Sequence, residues 1–176
     1  MNNYASNPAY DKRQSIDLKV AFFYLFVFLF GAMIVASLCY LLSANKFFDF
    51  VVNNEPNFYL SHKLLSYLTI IALDFVGLAT YLMWFSHYIY RRPHKEVQEN
   101  FICLGINLLI FILYPLFTFA LSLPVVGCVI LGVVIGFSIY TTYRYYNSSI
   151  SAGIFYTIWT LWLMYVFTLN FAYCLL

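Results

Sequence analysis

Long apolar runs alternate with short polar segments along the whole chain, and this pattern predicts its secondary structure. Five runs are long enough for a membrane-spanning helix, which needs about 20 apolar residues to cross the hydrocarbon core. They cover about 18–42, 63–90, 101–123, 124–146 and 151–176. The apolar residues within each run are continuous rather than alternating, which argues against a membrane β-barrel. The pattern therefore predicts an all-α fold, an integral membrane bundle of five transmembrane helices.

The polar segments between the runs are short, with one exception. Residues 1–17 form a polar tail, and the rest of the chain, 18–176, is predicted to be a single domain. The longest connection, 43–62, carries five aromatic residues among its polar ones. Because amphiphilic loops of this length often cover a site, we expect it to fold back over the bundle as a lid.

The composition agrees with a chain that is solvated by lipid. The sequence is 64% hydrophobic and only 9% charged, whereas soluble domains carry about 25% charged residues. The net charge is +2, and the basic residues are spread over short loops rather than gathered in one patch. Nucleic acid is therefore not an expected partner.

Basic residues near the helix ends predict the orientation, because cytoplasmic loops carry an excess of Lys and Arg. Most of them fall on the side of the N-terminus, and only Lys46 and Lys63 fall on the other. Those on the N-terminal side are Lys12, Arg13, Lys19, Arg91, Arg92, Lys95 and Arg144. We expect the N-terminus inside and the C-terminus outside.

Three polar side chains lie deep inside the predicted helices. Asp74 is the only acid within an apolar run, and a carboxyl at mid-helix costs roughly 2.5–3.5 kcal/mol on insertion scales. We expect it to face the bundle interior, either as a proton or ligand site or as a neutral, hydrogen-bonded packing residue. Asn107 and Asn170 are predicted to join helices, since such bonds contribute on the order of 0.6–2 kcal/mol in membranes.

The last apolar run gathers its aromatic and polar residues on one side. At 100° per residue, Trp159, Trp162, Val166, Asn170 and Tyr173 fall within roughly 80° of one another. A buried indole needs an acceptor for its N–H, and flat aromatic walls suit a flat apolar ligand. This side of the helix is therefore predicted to line a pocket.

No motif for catalysis or metal binding accompanies these residues. The histidines and cysteines are isolated in the sequence and form no CxxC pair. They are His62, His87, His94, Cys39, Cys103, Cys128 and Cys174. The sequence supports neither an enzyme activity nor a required cofactor, and it gives no support for a redox dithiol. The cysteines are interpreted as small buried side chains.

The fourth helix carries small residues at a spacing that permits close approach in lipid. Gly132 and Gly136 follow Cys128 at intervals of one turn, which is a small-xxx-small pattern. The pattern is compatible with packing inside the bundle and with packing between subunits.

Several short motifs resemble, in order and spacing, those of the translocator-protein family. This family comprises the tryptophan-rich sensory proteins of bacteria and the peripheral-type benzodiazepine receptors. The matching positions are Ala152–Gly153, Trp159, Trp162 and Leu169–Asn170 in helix five, Thr69–Gly77, Tyr81, Leu82 and Trp84 in helix two, and Leu113–Thr118 in helix three. The helix-five match has no gap.

The resemblance implies five tightly packed helices in a bacterial cytoplasmic membrane, often as a homodimer. It also implies a pocket near the 43–62 loop that accepts porphyrins, sterols or benzodiazepine-type ligands. The candidate ligand-binding residues are Trp162, Tyr165, Val166, Asn170, Trp159, Asp74, Pro56 and Phe58. In the family's loop motif, a tryptophan stands where this chain has Phe58, and two prolines stand at Leu60–Ser61. Ile158 replaces a proline of helix five.

The leading hypothesis is a membrane protein that binds a flat hydrophobic ligand, a porphyrin or sterol-like molecule, and senses or transports it. The expected partners are the lipid bilayer, a hydrophobic small molecule and a second copy of the chain. One alternative is a small proton-coupled carrier that uses Asp74. Another is a structural subunit of a membrane complex that assembles through Gly132 and Gly136.

Overall fold

Five helices, each long and apolar enough to cross a membrane, account for nearly all of the described chain. The computed structural model describes residues 18–43, 62–90 and 94–175. The helices are α1 (Leu18–Ser43), α2 (His62–Tyr90), α3 (His94–Pro115), α4 (Pro124–Ser148) and α5 (Ile150–Leu175), and a π-helical segment, Leu116–Ala120, continues α3. Within those ranges only 121–123 and Ser149 are not helical. The predicted all-α, five-helix membrane fold is confirmed.

The third helix begins earlier and ends differently from the prediction. It starts at His94, so most of the expected loop 91–100 is helical. The apolar run marks only the part of a helix that lies in lipid, whereas Lys95 to Asn100, which are polar except for Val97, extend it. Glu96 lies in the first turn, where a negative charge is favourable to the helix dipole.

Pro115 ends the regular part of α3, because proline lacks the N–H that an α-helix needs. The chain then makes the π-helical turn, and the N–H of Leu121 donates to the carbonyl of Leu116 at 3.0 Å. Ser122 takes a positive φ of 56°, which reverses the chain direction. Pro124 stands in the first turn of α4, a position where a missing N–H is tolerated.

The helices form a ring in the order α1, α2, α5, α4, α3, and α3 returns to α1. Consecutive helices from α2 onward are joined by very short connections, so they run antiparallel. We call the end of the bundle at which α1, α3 and α5 begin the lower end, and the opposite end the upper end. Among these helices α1 is the least buried.

Shape and aromatic contacts attach α1 to the rest of the bundle. A Cβ placed on Gly77 of α2 would be 2.8 Å from the carbonyl oxygen of Phe28, so the glycine permits the two backbones to approach. The rings of Tyr24 and Trp84 have centroids 4.2 Å apart. Phe28 stacks on Phe101 of α3 at 5.8 Å. Close packing against α2 and α3 therefore holds α1 in the bundle.

Polar side chains join α2, α3 and α4 at the lower end, and Ser148 is their common partner. The hydroxyl of Ser86 donates to the Ser148 carbonyl at 2.8 Å, and the amide of Asn100 donates to the Ser148 hydroxyl at 3.1 Å. His87 Nε2 lies 3.2 Å from that hydroxyl. Arg144 donates to Asn100 Oδ1 and to Glu99, each at 2.9 Å.

Further up the bundle, α4 makes single hydrogen bonds to its neighbours at membrane depth. The pairs are Asn107–Ser138 at 2.7 Å, Thr142–Thr160 at 3.0 Å and Thr80–Tyr145 at 3.2 Å. These three hydrogen bonds connect α4 to α3, to α5 and to α2, respectively. The predicted role of Asn107 in joining helices is confirmed.

The two glycines of the small-residue pattern on α4 do not pack against the described part of the bundle. Gly132 and Gly136 are exposed, and a Cβ added to either would meet no atom within 4 Å. Of the two arrangements that the sequence allowed, packing inside the bundle is therefore wrong for these residues.

Gly77→Ala should destabilise the bundle, because the added methyl group meets backbone atoms of α1 that cannot rotate away. Overpacking of this kind costs about 1–3 kcal/mol. Gly105→Ala is the matched control, since nothing lies within 4 Å of a Cβ there. Heating both variants in detergent, with helical circular dichroism as the readout, should show a lower midpoint for Gly77→Ala alone. Equal midpoints would contradict the close contact.

Candidate functional site

A groove between α2 and α5 is the larger of the two cavities described here, at about 340 Å³. This volume lies at the lower end of the roughly 300–1,000 Å³ that is usual for small-molecule sites. Its walls are almost wholly apolar and aromatic. The lining residues are Leu68, Ile71, Ala72 and Phe75 of α2, and Ile158, Leu161, Trp162 and Tyr165 of α5.

Aromatic rings form the inner wall of the groove, and aliphatic side chains form its rim. The rings of Trp162 and Tyr165 have centroids 5.3 Å apart and are inclined by 36°. Phe75 stacks on Phe155 of α5 at 5.6 Å, which fixes its ring between the two helices. Ile71 and Leu161 are exposed on the outer surface of the bundle, so the groove opens sideways toward lipid.

The second cavity lies between α1, α2 and α3 and is smaller, at about 190 Å³. It is bounded by residues such as Phe28, Gly31, Val76 and Leu108, and Thr80 supplies its one hydroxyl group. That hydroxyl already donates to the carbonyl of Val76 at 2.8 Å. The α2–α5 groove is therefore the better candidate for a ligand site.

The sequence-predicted pocket residues of α5 are divided between the groove and the core. Trp162 and Tyr165 line the groove. Trp159 is fully buried, and its ring meets Phe111 of α3 edge-on at 4.9 Å. Val166 packs against the core cluster, and neither it nor Trp159 lines either cavity. The aromatic side of α5 faces inward as predicted, but only its α2-facing edge borders an open space.

Asn170 is a buried joint between α5 and α4. Its amide nitrogen donates to the carbonyl of Pro124 and to the sulfur of Cys128, each at 3.1 Å. Gly127 leaves room beside this contact, because a Cβ there would overlap the hydroxyl of Thr118 and would lie 3.3 Å from the amide nitrogen of Asn170. The predicted joining role of Asn170 is confirmed, and a role in ligand binding stays a prediction.

Four buried polar atoms in this region have no hydrogen-bond partner among the described residues. They are Nε1 of Trp159, Nε1 of Trp162, Oγ1 of Thr118 and Oδ1 of Asn170. Most buried polar groups in proteins are paired, so the hydrogen-bonding capacity of these four atoms is unused among the described residues.

The sequence predicted that Asp74 faces the bundle interior, and this prediction is wrong. Asp74 lies partly exposed on the outer side of α2. At 100° per residue it falls within about 60° of Tyr67, Leu78 and Phe85, and Tyr67 is 63% exposed. It borders neither cavity. The carboxyl takes no part in a hydrogen bond or ion pair within the described ranges. The core side of α2 is filled instead by Leu73 and Val76.

Two cysteines that are far apart in the sequence meet in the structure. The sulfur atoms of Cys128 and Cys174 are 3.5 Å apart, although the two residues are 46 positions apart in the sequence. Both side chains are partly buried. The interpretation of the four cysteines as small buried side chains did not include this contact, which arises because antiparallel packing of α4 on α5 brings the two together.

The α2 wall of the groove was missed by the sequence analysis. Its residues, 68, 71, 72 and 75, follow the i, i+3, i+4, i+7 spacing of a single helix face, which is the signal that identifies them. Asp74 lies on a different face of α2. Pro56 and Phe58, the candidates on the 43–62 loop, lie outside the described residues.

Comparison with known proteins decides the family. The family model described as "TspO/MBR family" matches residues 24–176, nearly the whole chain. The chain belongs to the TspO/MBR family. Neither a search of curated proteins nor a search of solved structures returned a match. TspO/MBR proteins are membrane-bound and known for ligand binding, so this chain is an integral membrane protein of a ligand-binding family.

Asn170→Leu should weaken the attachment of α5 to α4, because two hydrogen bonds made by one amide are lost. The expected loss is on the order of 0.6–2 kcal/mol in the free energy of unfolding. Thr168→Leu is the control, since its hydroxyl is exposed and bonds only to its own helix at Met164. Thermal unfolding in detergent should separate the two variants. A control that is equally destabilised would argue against a specific joint at Asn170.

Proposed function

We propose that the chain binds a flat hydrophobic molecule, a tetrapyrrole by preference, in the α2–α5 groove, and that it senses or transports this ligand. The observation that carries the proposal is the convergence of Phe75, Trp162 and Tyr165 on one open space. Aromatic rings prefer offset stacked or edge-on contacts at 4.5–7 Å between centroids. A planar conjugated macrocycle offers such contacts over a large area.

The sideways opening of the groove suits a ligand that is dissolved in the bilayer. A molecule of this kind reaches the site through lipid and does not need a channel from water. The exposed rim residues Ile71, Ile158 and Leu161 offer only apolar contacts to it. A volume near 340 Å³ holds part of a macrocycle, whose outer edge then stays in the lipid acyl chains.

The other expectations for this protein form part of the same proposal. A sterol-like molecule shares the flat apolar shape and is the second ligand class. No cofactor is proposed as a requirement. A homodimer would use the exposed side of α4 that carries Gly132 and Gly136. The proposed setting is a bacterial cytoplasmic membrane, with the N-terminus inside and the C-terminus outside.

Titration of the purified protein in detergent with protoporphyrin IX tests the proposal. The change in porphyrin absorbance should saturate for the wild type. Trp162→Leu should weaken binding about 2- to 12-fold, because a ring contact contributes about 0.5–1.5 kcal/mol and 1.4 kcal/mol is a factor of ten. Absorbance is preferable to tryptophan fluorescence, since each variant removes one of only three tryptophans.

Trp84→Leu is the matched control for this titration. Trp84 also stands in an aromatic cluster, but it packs on Tyr24 of α1 and does not line the groove. Its removal should leave the dissociation constant within about twofold of the wild type. Non-saturable binding that is the same in all three proteins would indicate partition into micelles and would contradict the proposal. Weaker binding in Trp84→Leu alone would place the ligand on the α1 side.

The alternative of a proton-coupled carrier rests on Asp74, which lies at mid-helix and has no ion-pair or hydrogen-bond partner among the described residues. It predicts that Asp74→Asn abolishes pH-driven uptake of ligand into proteoliposomes while porphyrin binding stays intact. If ligand binding alone is the function, the variant should bind and fold like the wild type. Parallel uptake and binding measurements on the same preparation distinguish the two functions.

A further inference from the structure

We propose that Cys128 and Cys174 form a dithiol that is oxidised to an intramolecular disulfide by thiol–disulfide exchange. Their sulfur atoms are 3.5 Å apart, and a disulfide bond is about 2.05 Å long. Small rotations of two side chains bridge this difference. The proposal is independent of the proposed ligand, because neither cysteine lines the α2–α5 groove.

The surroundings of the pair hold one sulfur in place. The amide of Asn170 donates to Cys128 Sγ at 3.1 Å and at the same time to the carbonyl of Pro124. Asn170 is 2% exposed, so its amide is not displaced by solvent. On α5, Asn170 and Cys174 are one helical turn apart. The amide that fixes Cys128 therefore lies directly below the second thiol.

Both thiols lie where a reagent can reach them. Cys174 is the penultimate residue of α5, and Cys128 is one turn from the start of α4. Both side chains are partly exposed, at the upper end of the bundle and not at the centre of the membrane. Cys39 and Cys103 lie on other helices, α1 and α3.

The reaction uses an external disulfide, such as glutathione disulfide, as the oxidant. One protein thiolate attacks a sulfur of that disulfide, which forms a mixed disulfide and releases one glutathione thiolate. The second protein thiolate then attacks the protein sulfur of the mixed disulfide and releases the second glutathione. Two protein thiols lose two protons and two electrons, and the glutathione pair gains them. The new bond closes a long loop between α4 and α5, and closing such a loop stabilises the folded chain.

Thiol counting tests the proposal directly. The double variant Cys39→Ser, Cys103→Ser leaves Cys128 and Cys174 as its only thiols, and its elution in detergent reports whether it is folded. It is equilibrated with glutathione and glutathione disulfide at several ratios and quenched in acid. It is then denatured in SDS and labelled with a polyethylene-glycol maleimide. We expect two labels per chain under reducing conditions and none under oxidising conditions, with monomer mobility throughout.

Adding Cys174→Ser to this background provides the matched control. That protein should keep one label in all but the most oxidising mixtures, where only a mixed disulfide with glutathione forms, and the added mass identifies it. In the parent double variant, oxidation should also raise the unfolding midpoint, and the control should show no rise. Two labels that persist at every ratio would overturn the proposal, as would a disulfide that appears only between chains.

Discussion

A polar axis along α4 holds this bundle together. Each interhelical side-chain hydrogen bond described above has one partner on α4, from Ser148 at the lower end through Ser138 to Cys128 near the upper end. In hydrocarbon there is no water to satisfy these groups, so they pair with one another inside the bundle. The polar residues thus decide which sides of the helices turn inward, and lipid receives the apolar remainder.

The candidate site lies between α2 and α5, away from the hydrogen-bonding residues of α4. The α2–α5 contact described here is made by stacked rings of Phe75 and Phe155, and the α1–α2 contact is made by close approach at Gly77. Both described cavities open beside these apolar contacts and not along α4. Packing forces between apolar side chains are weakly directional, so a ligand can replace them without leaving a polar group unpaired. This is the physical reason to place a flat apolar ligand at the α2–α5 edge.

The upper end of the α4–α5 pair combines several features of interest. The π-helical segment after Pro115 buries Thr118 beside Gly127, and Asn170 fixes Cys128 next to Cys174. Two buried polar atoms without partners in the described part of the chain, Thr118 Oγ1 and Asn170 Oδ1, and two adjacent thiols occur here within a few turns of helix. Oxidation of the cysteine pair would alter the contact that Asn170 makes with Cys128 and the position of the end of α5. The middle part of α5 forms one wall of the groove.

The sequence by itself determined the number of helices, the membrane setting and the inward side of α5, because apolar run length and helical period are local properties of the chain. The family motifs, which are also local, led to the correct family. Only the tertiary structure decided where Asp74 points, which α2 residues face Trp162, and that Cys128 meets Cys174. These facts depend on how each helix is rotated about its own axis and which helix it packs against. That rotation follows from the sum of many weak contacts and from the α4 hydrogen bonds, and no single segment of sequence carries it.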